Sequence, residues 1–377
     1  MQTIEVNPIY WLAILSGLLA AFSTATFLVC TKQWHGAFSM DQAKGIQKFH
    51  TMPTPRIGGV ALLAGALATW LALPGNTQQG QETRELLGLV LLGGLPAFVA
   101  GLLEDITKKV SVKARLLATA LSGLAFALLS GYWISGVNLP GVDYLLAWAP
   151  VGMLFTAFAI SGIANSVNII DGFNGLASGV VVLMLLTLAA IAWRVDDFVI
   201  LNIALCGVAV VLGFMLLNFP KGLIFLGDAG AYCLGYLVAT LAVALTIRNP
   251  GAVSPWAMLL VCGYPIIETL FSVYRRLSRK CRRNPGTPDA SHLHSLVYRR
   301  VVSRKLIPSA PAWQRNALTS PFMWLYAAVP MLGAIFWPQS LGMVVAWLAL
   351  SFFVYQRAYR RMVRMGVFFR KPVRMAL

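Results

Sequence analysis

The chain is a succession of apolar runs, each long enough to cross a bilayer. Eleven can be read, at approximately 9–30, 57–74, 86–103, 114–134, 147–164, 176–193, 199–217, 230–247, 255–273, 321–337 and 341–357. A hydrocarbon core of about 30 Å needs about 20 apolar residues in a helix that rises 1.5 Å per residue. Inside a bilayer the backbone must satisfy its own N–H and C=O groups, and uncharged runs of this length do so as helices. The expected fold is therefore all-α, a polytopic membrane protein of about 11 transmembrane helices. Only 11% of the residues are charged, against about 25% in soluble domains, so a soluble globular protein is excluded.

The connections fall into two alternating sets. One comprises 31–56, 104–113, 165–175, 218–229, 274–320 and the tail after 357; the other comprises 75–85, 135–146, 194–198, 248–254 and 338–340. Of the 30 Lys and Arg residues, all but Arg84, Arg194 and Arg248 lie in the first set or at its helix boundaries. The positive-inside rule makes that set cytoplasmic, with the N-terminus outside and the C-terminus cytoplasmic. It also explains the net charge of +17 without nucleic acid. No cleavable signal peptide is expected, because no basic residue precedes the first run and no convincing small-residue cleavage site follows it. The five cysteines form no CxxC pair and read as packing residues rather than metal ligands or disulfides. Neither an internal repeat nor an inverted pair of broken helices is visible. The chain 1–377 reads as a single integral membrane domain, with 274–320 as a basic cytoplasmic loop that is turn-rich over 282–291.

Five polar clusters interrupt this pattern, all on the cytoplasmic side. Asn165, Asn168 and Asp171 recur at spacing three and share one helix face, which ends at Gly172 and a short Phe173-Asn174-Gly175 loop. Such a stripe suits a polar ligand or a metal, or a helix–helix hydrogen-bond patch. Glu104-Asp105 precedes Lys108, Lys109, Lys113 and Arg115, a set that suits Mg²⁺ with phosphate, or an interfacial helix end whose charges snorkel. Asp228 sits between Gly227 and Gly230 after Phe225; it is a functional acid whose flanking glycines would let a phosphate approach, or simply a cap on a helix dipole. His292 and His294 lie in the most basic connection, either on phosphate or as loop residues; no further ligand follows at zinc spacing. Arg56 follows His50 and two prolines at the mouth of the second run, as a phosphate ligand or a membrane anchor. Glu268 stands inside the ninth run, where an ionisable group is costly; it is a functional candidate or a partner for Arg275 or Arg276.

In order along the chain, these clusters resemble the motifs of the polyprenyl-phosphate N-acetylhexosamine-1-phosphate transferases (glycosyltransferase family 4). That superfamily holds the GlcNAc-1-phosphate transferases that start O-antigen and teichoic acid assembly, and the phospho-muramoyl-pentapeptide transferase. Pro55-Arg56-Ile57-Gly58-Gly59 is similar to its first-loop motif and Glu104-Asp105 to its Asp-Asp pair. Asn165-x-x-Asn168-x-x-Asp171-Gly172, Leu226-Gly227-Asp228-Ala229-Gly230 and His292-x-His294 resemble the later ones. The departures are Glu104 for Asp, Ala231 where Ser is common, and Ser295 where relatives often carry a further His. The first-loop form and the missing His cluster favour the undecaprenyl-phosphate GlcNAc-1-phosphate transferase branch.

The resemblance implies a reaction. A UDP-N-acetylhexosamine and undecaprenyl phosphate give undecaprenyl-diphospho-sugar and UMP, the first membrane step of a cell-surface glycan pathway at the bacterial inner membrane. It implies Mg²⁺, with Mn²⁺ as a possible substitute, held by Asp228 and Asn168. Glu104, Asp105, Asp228, His292 and His294 form the implied catalytic set. Arg56, Lys108, Lys113, Asn165, Asn168, Asp171, Asn174 and Phe225 form the implied substrate-binding set. The partners are the two substrates and the lipid bilayer, with a homodimer as a possible assembly and no nucleic acid. A transporter or flippase for an anionic or lipid-linked solute is the rival from another class; it would need charge near the midplane and on both sides.

Overall fold

The computed structural model describes residues 9–41, 53–277 and 291–367. His50 and the turn-rich stretch 282–290 lie outside the described residues. In chain order the elements are α1 (Trp11–Cys30), α2 (Lys32–Ser39), β1 (Met40–Asp41), β2 (Thr54–Pro55), α3 (Gly58–Ala72), α4 (Gln78–Gly93), α5 (Leu95–Thr107) and α6 (Val112–Ser130). There follow α7 (Val142–Leu146), α8 (Ala149–Ile170), α9 (Leu176–Arg194), α10 (Phe198–Asn218), α11 (Gly227–Arg248), α12 (Pro255–Val261) and α13 (Gly263–Leu277). The chain then forms α14 (Leu293–Val297), a π-helical segment (Tyr298–Leu306), α15 (Ala312–Phe336) and α16 (Leu341–Val367). The two-residue strands β1 and β2 pair antiparallel, a small exception to an all-α fold.

Every expected apolar run is helical, but not every run is one straight helix. The run at 86–103 lies on α4 and α5, which meet at Gly94 with a bend of 46°. Pro96 at the start of α5 cannot donate to the preceding turn, and Ala97 gives its N–H to Ser122 Oγ at 2.9 Å instead. The ninth run is split into α12 and α13, bent by 78°. Among the described residues eight helices are long and apolar enough to span a membrane, or up to ten if each bent pair is one span. Helix α3 has 15 residues, about 22 Å of rise, short of the hydrocarbon thickness. The protein is a multi-pass, all-α membrane protein.

The expected loop 274–320 is largely helical where it is described. Its apolar residues Leu293, Leu296, Val297 and Val302 are buried in the core, which pulls α14 and the π-helical segment onto the bundle. Helix α15 begins at Ala312 and carries Pro321 and Pro330 internally, as helices in lipid tolerate.

Helix α11 is the hub, packed against α3, α5, α8 and α9. Two glycines let its N-terminus approach α3 and α5 backbone to backbone. A Cβ at Gly59 would fall 2.6 Å from Gly230 N, and one at Gly101 would fall 2.5 Å from Ala229 Cα. Small residues at such crossings allow close packing in lipid, where no hydrophobic force drives helices together.

Polar groups collect at two poles. At one, Asp197 opens α10 and accepts from Arg248 Nε at 2.8 Å and Asn249 Nδ2 at 2.9 Å. Arg248 also reaches Tyr132 Oη at 3.3 Å and Glu82 at 3.9 Å. These residues come from or flank the connections expected outside. The five motif clusters gather at the opposite pole.

Candidate active site

The site is assembled on the N-terminus of α11. Asp105, at the end of α5, is completely buried. Its Oδ1 accepts the Asp228 N–H at 2.8 Å and its Oδ2 the Ala229 N–H at 3.0 Å. A carboxylate there satisfies helix N–H groups that have no partner in their own helix, and it complements the positive end of the helix dipole. Gly227, with φ +73°, makes the turn; a Cβ on it would lie 2.2 Å from Arg56 O and 2.5 Å from Asp105 Oδ2.

The arginine motif is zipped to the same turn by its backbone. Phe225 N–H donates to Pro55 O at 2.7 Å, and Gly58 and Gly59 donate to Phe225 O and Leu226 O at 3.0 Å each. This sets Arg56 between two acids. Its Nε donates to Asp105 Oδ1 at 3.1 Å, and its Nη2 lies 3.0 Å from Asp105 Oδ1 and 3.2 Å from Asp228 Oδ1. Asn168 Nδ2 donates to the same Asp228 Oδ1 at 3.1 Å. Asp228 Oδ2 accepts from Arg115 Nη1.

Asp171 ends α8 beside this cluster. Burial pushes its carboxyl up to about 7, and the Asp228 and Asp105 carboxylates add to the rise against the Arg56 guanidinium. The next residue links the acids to the histidines: a Cβ at Gly172 would lie 3.4 Å from His294 Nε2. His294 also meets the Phe173 ring edge-on at 5.7 Å between centroids. Its Nδ1 lies 3.2 Å from Tyr264 Oη, and burial pushes the imidazole down to about 3, so it is neutral. His292 stacks on His294 at 5.2 Å and pairs through Nδ1 with Glu268 Oε1 at 2.9 Å. Both Glu268 oxygens also accept the Leu293 N–H at 3.2 Å.

The structure thus brings Arg56, Asp105, Asn168 and Asp228 into contact, with Asp171, His294 and His292 following in a chain of neighbours. Other expected residues have local tasks. Glu104 is half-buried and accepts the Val110 N–H at 2.8 Å. Lys108 is exposed and donates to Met40 O at 2.9 Å, and Lys113 is exposed. Asn165 ties α8 to α6 through Thr119 Oγ1 at 2.9 Å and also donates to Ser161 O of its own helix at 2.8 Å. Asn174 is buried; its N–H goes to Asn316 Oδ1 at 2.8 Å and its Nδ2 to Pro220 O at 3.0 Å. Phe225 is half-buried. Arg115, visible in the sequence only as one of several cations after the acid pair, contacts Asp228 directly. Glu268 stands out in sequence as a charge in an apolar run, but its pairing with His292 does not.

The donor set can be compared with a metal's needs. Among the described residues no three His, Cys, Asp or Glu side chains are grouped to hold an ion, so a closed zinc site is absent there. Mg²⁺ commonly takes one or two carboxylates and completes its shell with water and substrate phosphate. Asp228, backed by the Asn168 amide and near Asp171, fits that pattern. The Asn168 amide presents its NH₂ end to Asp228 and would turn over to offer oxygen.

Residues 87–246 match the family model described as Glycosyl transferase family 4. This span carries the acid pair, the asparagine stripe and Asp228, and leaves out Arg56 and the histidines. The chain is 31% identical over 251 residues to a probable undecaprenyl-phosphate N-acetylglucosaminyl 1-phosphate transferase of Bacillus subtilis (strain 168), covering 66% of each protein. It is 26% identical over 257 residues to the undecaprenyl-phosphate alpha-N-acetylglucosaminyl 1-phosphate transferase of Yersinia pestis, covering 67% of this chain and 68% of that one. To the phospho-N-acetylmuramoyl-pentapeptide-transferase of Enterococcus hirae it is 29% identical over 234 residues, covering 59% of this chain and 69% of that one. The chain spans about two thirds of the length of these curated relatives. It belongs to glycosyl transferase family 4, the superfamily whose motifs its own polar clusters resemble.

Proposed function

We propose that this protein transfers N-acetylhexosamine 1-phosphate from a UDP-sugar to undecaprenyl phosphate, giving undecaprenyl-diphospho-sugar and UMP. The observation that carries this reading is the convergence of Arg56, Arg115, Asn168 and Asp228 at one pole of a membrane bundle. Two guanidiniums, an amide and a carboxylate suit a diphosphate and a hard cation. That pole is the one whose connections carry the basic residues, so the site faces the cytoplasm, where UDP-sugars are. The N-terminus is then outside, the C-terminus cytoplasmic, and the bent pairs and α3 each count as one of eleven spans.

In the reaction an oxygen of the lipid phosphate attacks the sugar-bearing phosphorus of the UDP-sugar. The P–O bond to the UMP phosphate breaks, and UMP leaves with the electron pair. A phosphate monoester has a second pKa of about 6, so the attacking group is mostly dianionic at neutral pH and needs little help from a base. The demand on the protein is positioning and charge stabilisation. Arg56 and Arg115 bind phosphate oxygens in planar forks. Asp228 and Asn168 would hold Mg²⁺, which neutralises charge on the diphosphate when bound. Asp105 has both oxygens committed to α11 and Arg56, so it positions Asp228. Glu104, half-buried beside it, is the acid of the pair left to face the lipid phosphate. Neutral His294 donates or accepts at Nε2 beside Gly172, while Glu268 fixes His292.

The test is UMP release by the purified protein in detergent, with Mg²⁺, undecaprenyl phosphate and a panel of UDP-sugars. Release with a UDP-N-acetylhexosamine is expected. No release with any UDP-sugar refutes the reading.

A further inference from the structure

Arg115 stands in the first turn of α6, the positive end of the helix dipole, where a cation is disfavoured. It is nonetheless drawn inward. Its side chain is 18% exposed and donates Nη1 to Asp228 Oδ2. Its Nε is buried and has no hydrogen-bond partner among the described residues. Asp228 Oδ1 already receives Arg56 and Asn168, so Oδ2 is the oxygen a metal would share, and a guanidinium sits on it.

The two arginines are not equivalent. Arg56 holds Asp105 through Nε and Nη2 as well as Asp228, and its N–H is fixed on Ser39 O at 2.9 Å. It has a second acid to keep it in place. Among the described residues Arg115 makes its ion pair with Asp228 alone, and its idle Nε leaves a fork half used. A planar fork with a free donor suits a second anion.

We propose that Arg115 is an exchangeable counter-ion for Asp228. It neutralises the carboxylate before nucleotide arrives, and turns to the diphosphate when the nucleotide binds, which releases Asp228 Oδ2 to the divalent cation. This rests on the UDP-sugar reading of the site. Metal and nucleotide then bind with positive coupling, and each strengthens the other by the same factor. Arg115 thereby acts both as a phosphate ligand and as a guard on the metal carboxylate.

The test uses the full-length protein in detergent and two probes measured apart: Mn²⁺ without nucleotide, by electron paramagnetic resonance, and UDP with the metal chelated. Arg115→Met takes away the cation that occupies Asp228 Oδ2 and repels a second one, so it is expected to bind Mn²⁺ about tenfold more tightly or better. Loss of a charge-assisted phosphate contact should weaken UDP by about tenfold. Arg115→Gln should show the same pair of opposite shifts, which keeps the test standing if the Met variant misfolds; Arg115→Lys should stay near wild type for Mn²⁺. Lys113→Met removes the same charge two residues away, on an exposed side chain, and measures the general field effect. Mn²⁺ affinity in Arg115→Met and Arg115→Gln no higher than in Lys113→Met overturns the proposal. If wild type neither binds UDP nor releases UMP, the functional reading fails, while the Mn²⁺ comparison still decides whether Arg115 guards Asp228.

Discussion

Asp105 caps the helix that carries Asp228: its Oδ1 accepts the Asp228 N–H at 2.8 Å while Arg56 bridges the two side chains. The two acids therefore have different tasks, and their variants should separate. Asp105→Ala strands two helix N–H groups and half of Arg56 in a buried place, at a cost of about 1–3 kcal/mol for each unsatisfied group. Thermal unfolding should drop along with activity. Asp228→Asn keeps the volume and the Asp105 cap and removes the charge shared by Arg56 and Arg115, so activity should vanish while the melting temperature falls less than in Asp105→Ala. Equal loss of stability in both would show that Asp228 is as structural as Asp105.

The pairing of Glu268 with His292 gives a second expectation. Glu268→Gln loses the charge that faces His292 and weakens the hold on the Leu293 N–H. The loop that presents His294 to Gly172 would then be loose by a fraction of an ångström, which is costly where reacting groups must be held close. Turnover should fall at least about tenfold, with Glu268→Asp intermediate. UMP release at matched expression decides it, and a fully active Glu268→Gln would remove the acid from the site.

Much of this was legible in the sequence because two patterns are strong. Apolar runs of bilayer length cannot hide in a soluble fold, and the ordered motifs put Arg56, Asn168, Asp171, Asp228 and the histidines on one side. Less legible was what depends on tertiary contact. Asn165 and Asn174 look like ligands because an amide has the same donors whether it meets a sugar or a neighbouring helix; the structure spends both on helix and loop contacts. The bends at Gly94 and between α12 and α13 fall inside runs whose hydropathy is unbroken. The segment after 290 reads as a polar loop, yet Glu268 and the apolar residues of α14 draw His292 and His294 into the core. Arg115 is one cation among four until the fold selects it.

Asp171 gives a pH expectation. Its folded-state pKa is raised to about 7, above an ordinary aspartate near 3.9. Between those values the folded state binds more protons at this group than the unfolded state, so its contribution to stability falls as pH rises. Asp171→Asn cannot ionise and should flatten that slope. Melting temperatures of the two proteins in detergent should diverge from about pH 4 to about pH 7, with the variant gaining as pH rises. Parallel curves would show that Asp171 is not perturbed in this way.

The two poles give an expectation for orientation. The Asp197–Arg248 pole and the Arg56–Asp228 pole are at opposite ends of the bundle, and the basic residues favour the second as cytoplasmic. A reporter after Leu377 should be cytoplasmic and a tag near Gln79 accessible from outside. Both on one side would break the alternation of spans.

Glu104 departs from the family's Asp-Asp pair, and the structure shows what its length reaches. The carboxylate accepts the Val110 N–H at 2.8 Å, bridging the end of α5 to the turn before α6. Shortening it by one methylene withdraws the acid by about 1 Å, enough to matter near reacting groups. Two roles give different patterns. If Glu104 only pins the turn, Glu104→Gln keeps length and an acceptor oxygen and should be nearly wild type, while Glu104→Asp loses the bond and some stability. If its charge faces the lipid phosphate or the metal, Glu104→Gln should be crippled and Glu104→Asp intermediate. The second pattern is expected, because Asp105 is fully committed to α11 and Arg56 and the pair has no other acid to offer. Steady-state UMP release by the two variants at equal expression separates the roles, and an active Glu104→Gln would leave the chemistry to Asp228, the two arginines and the histidines.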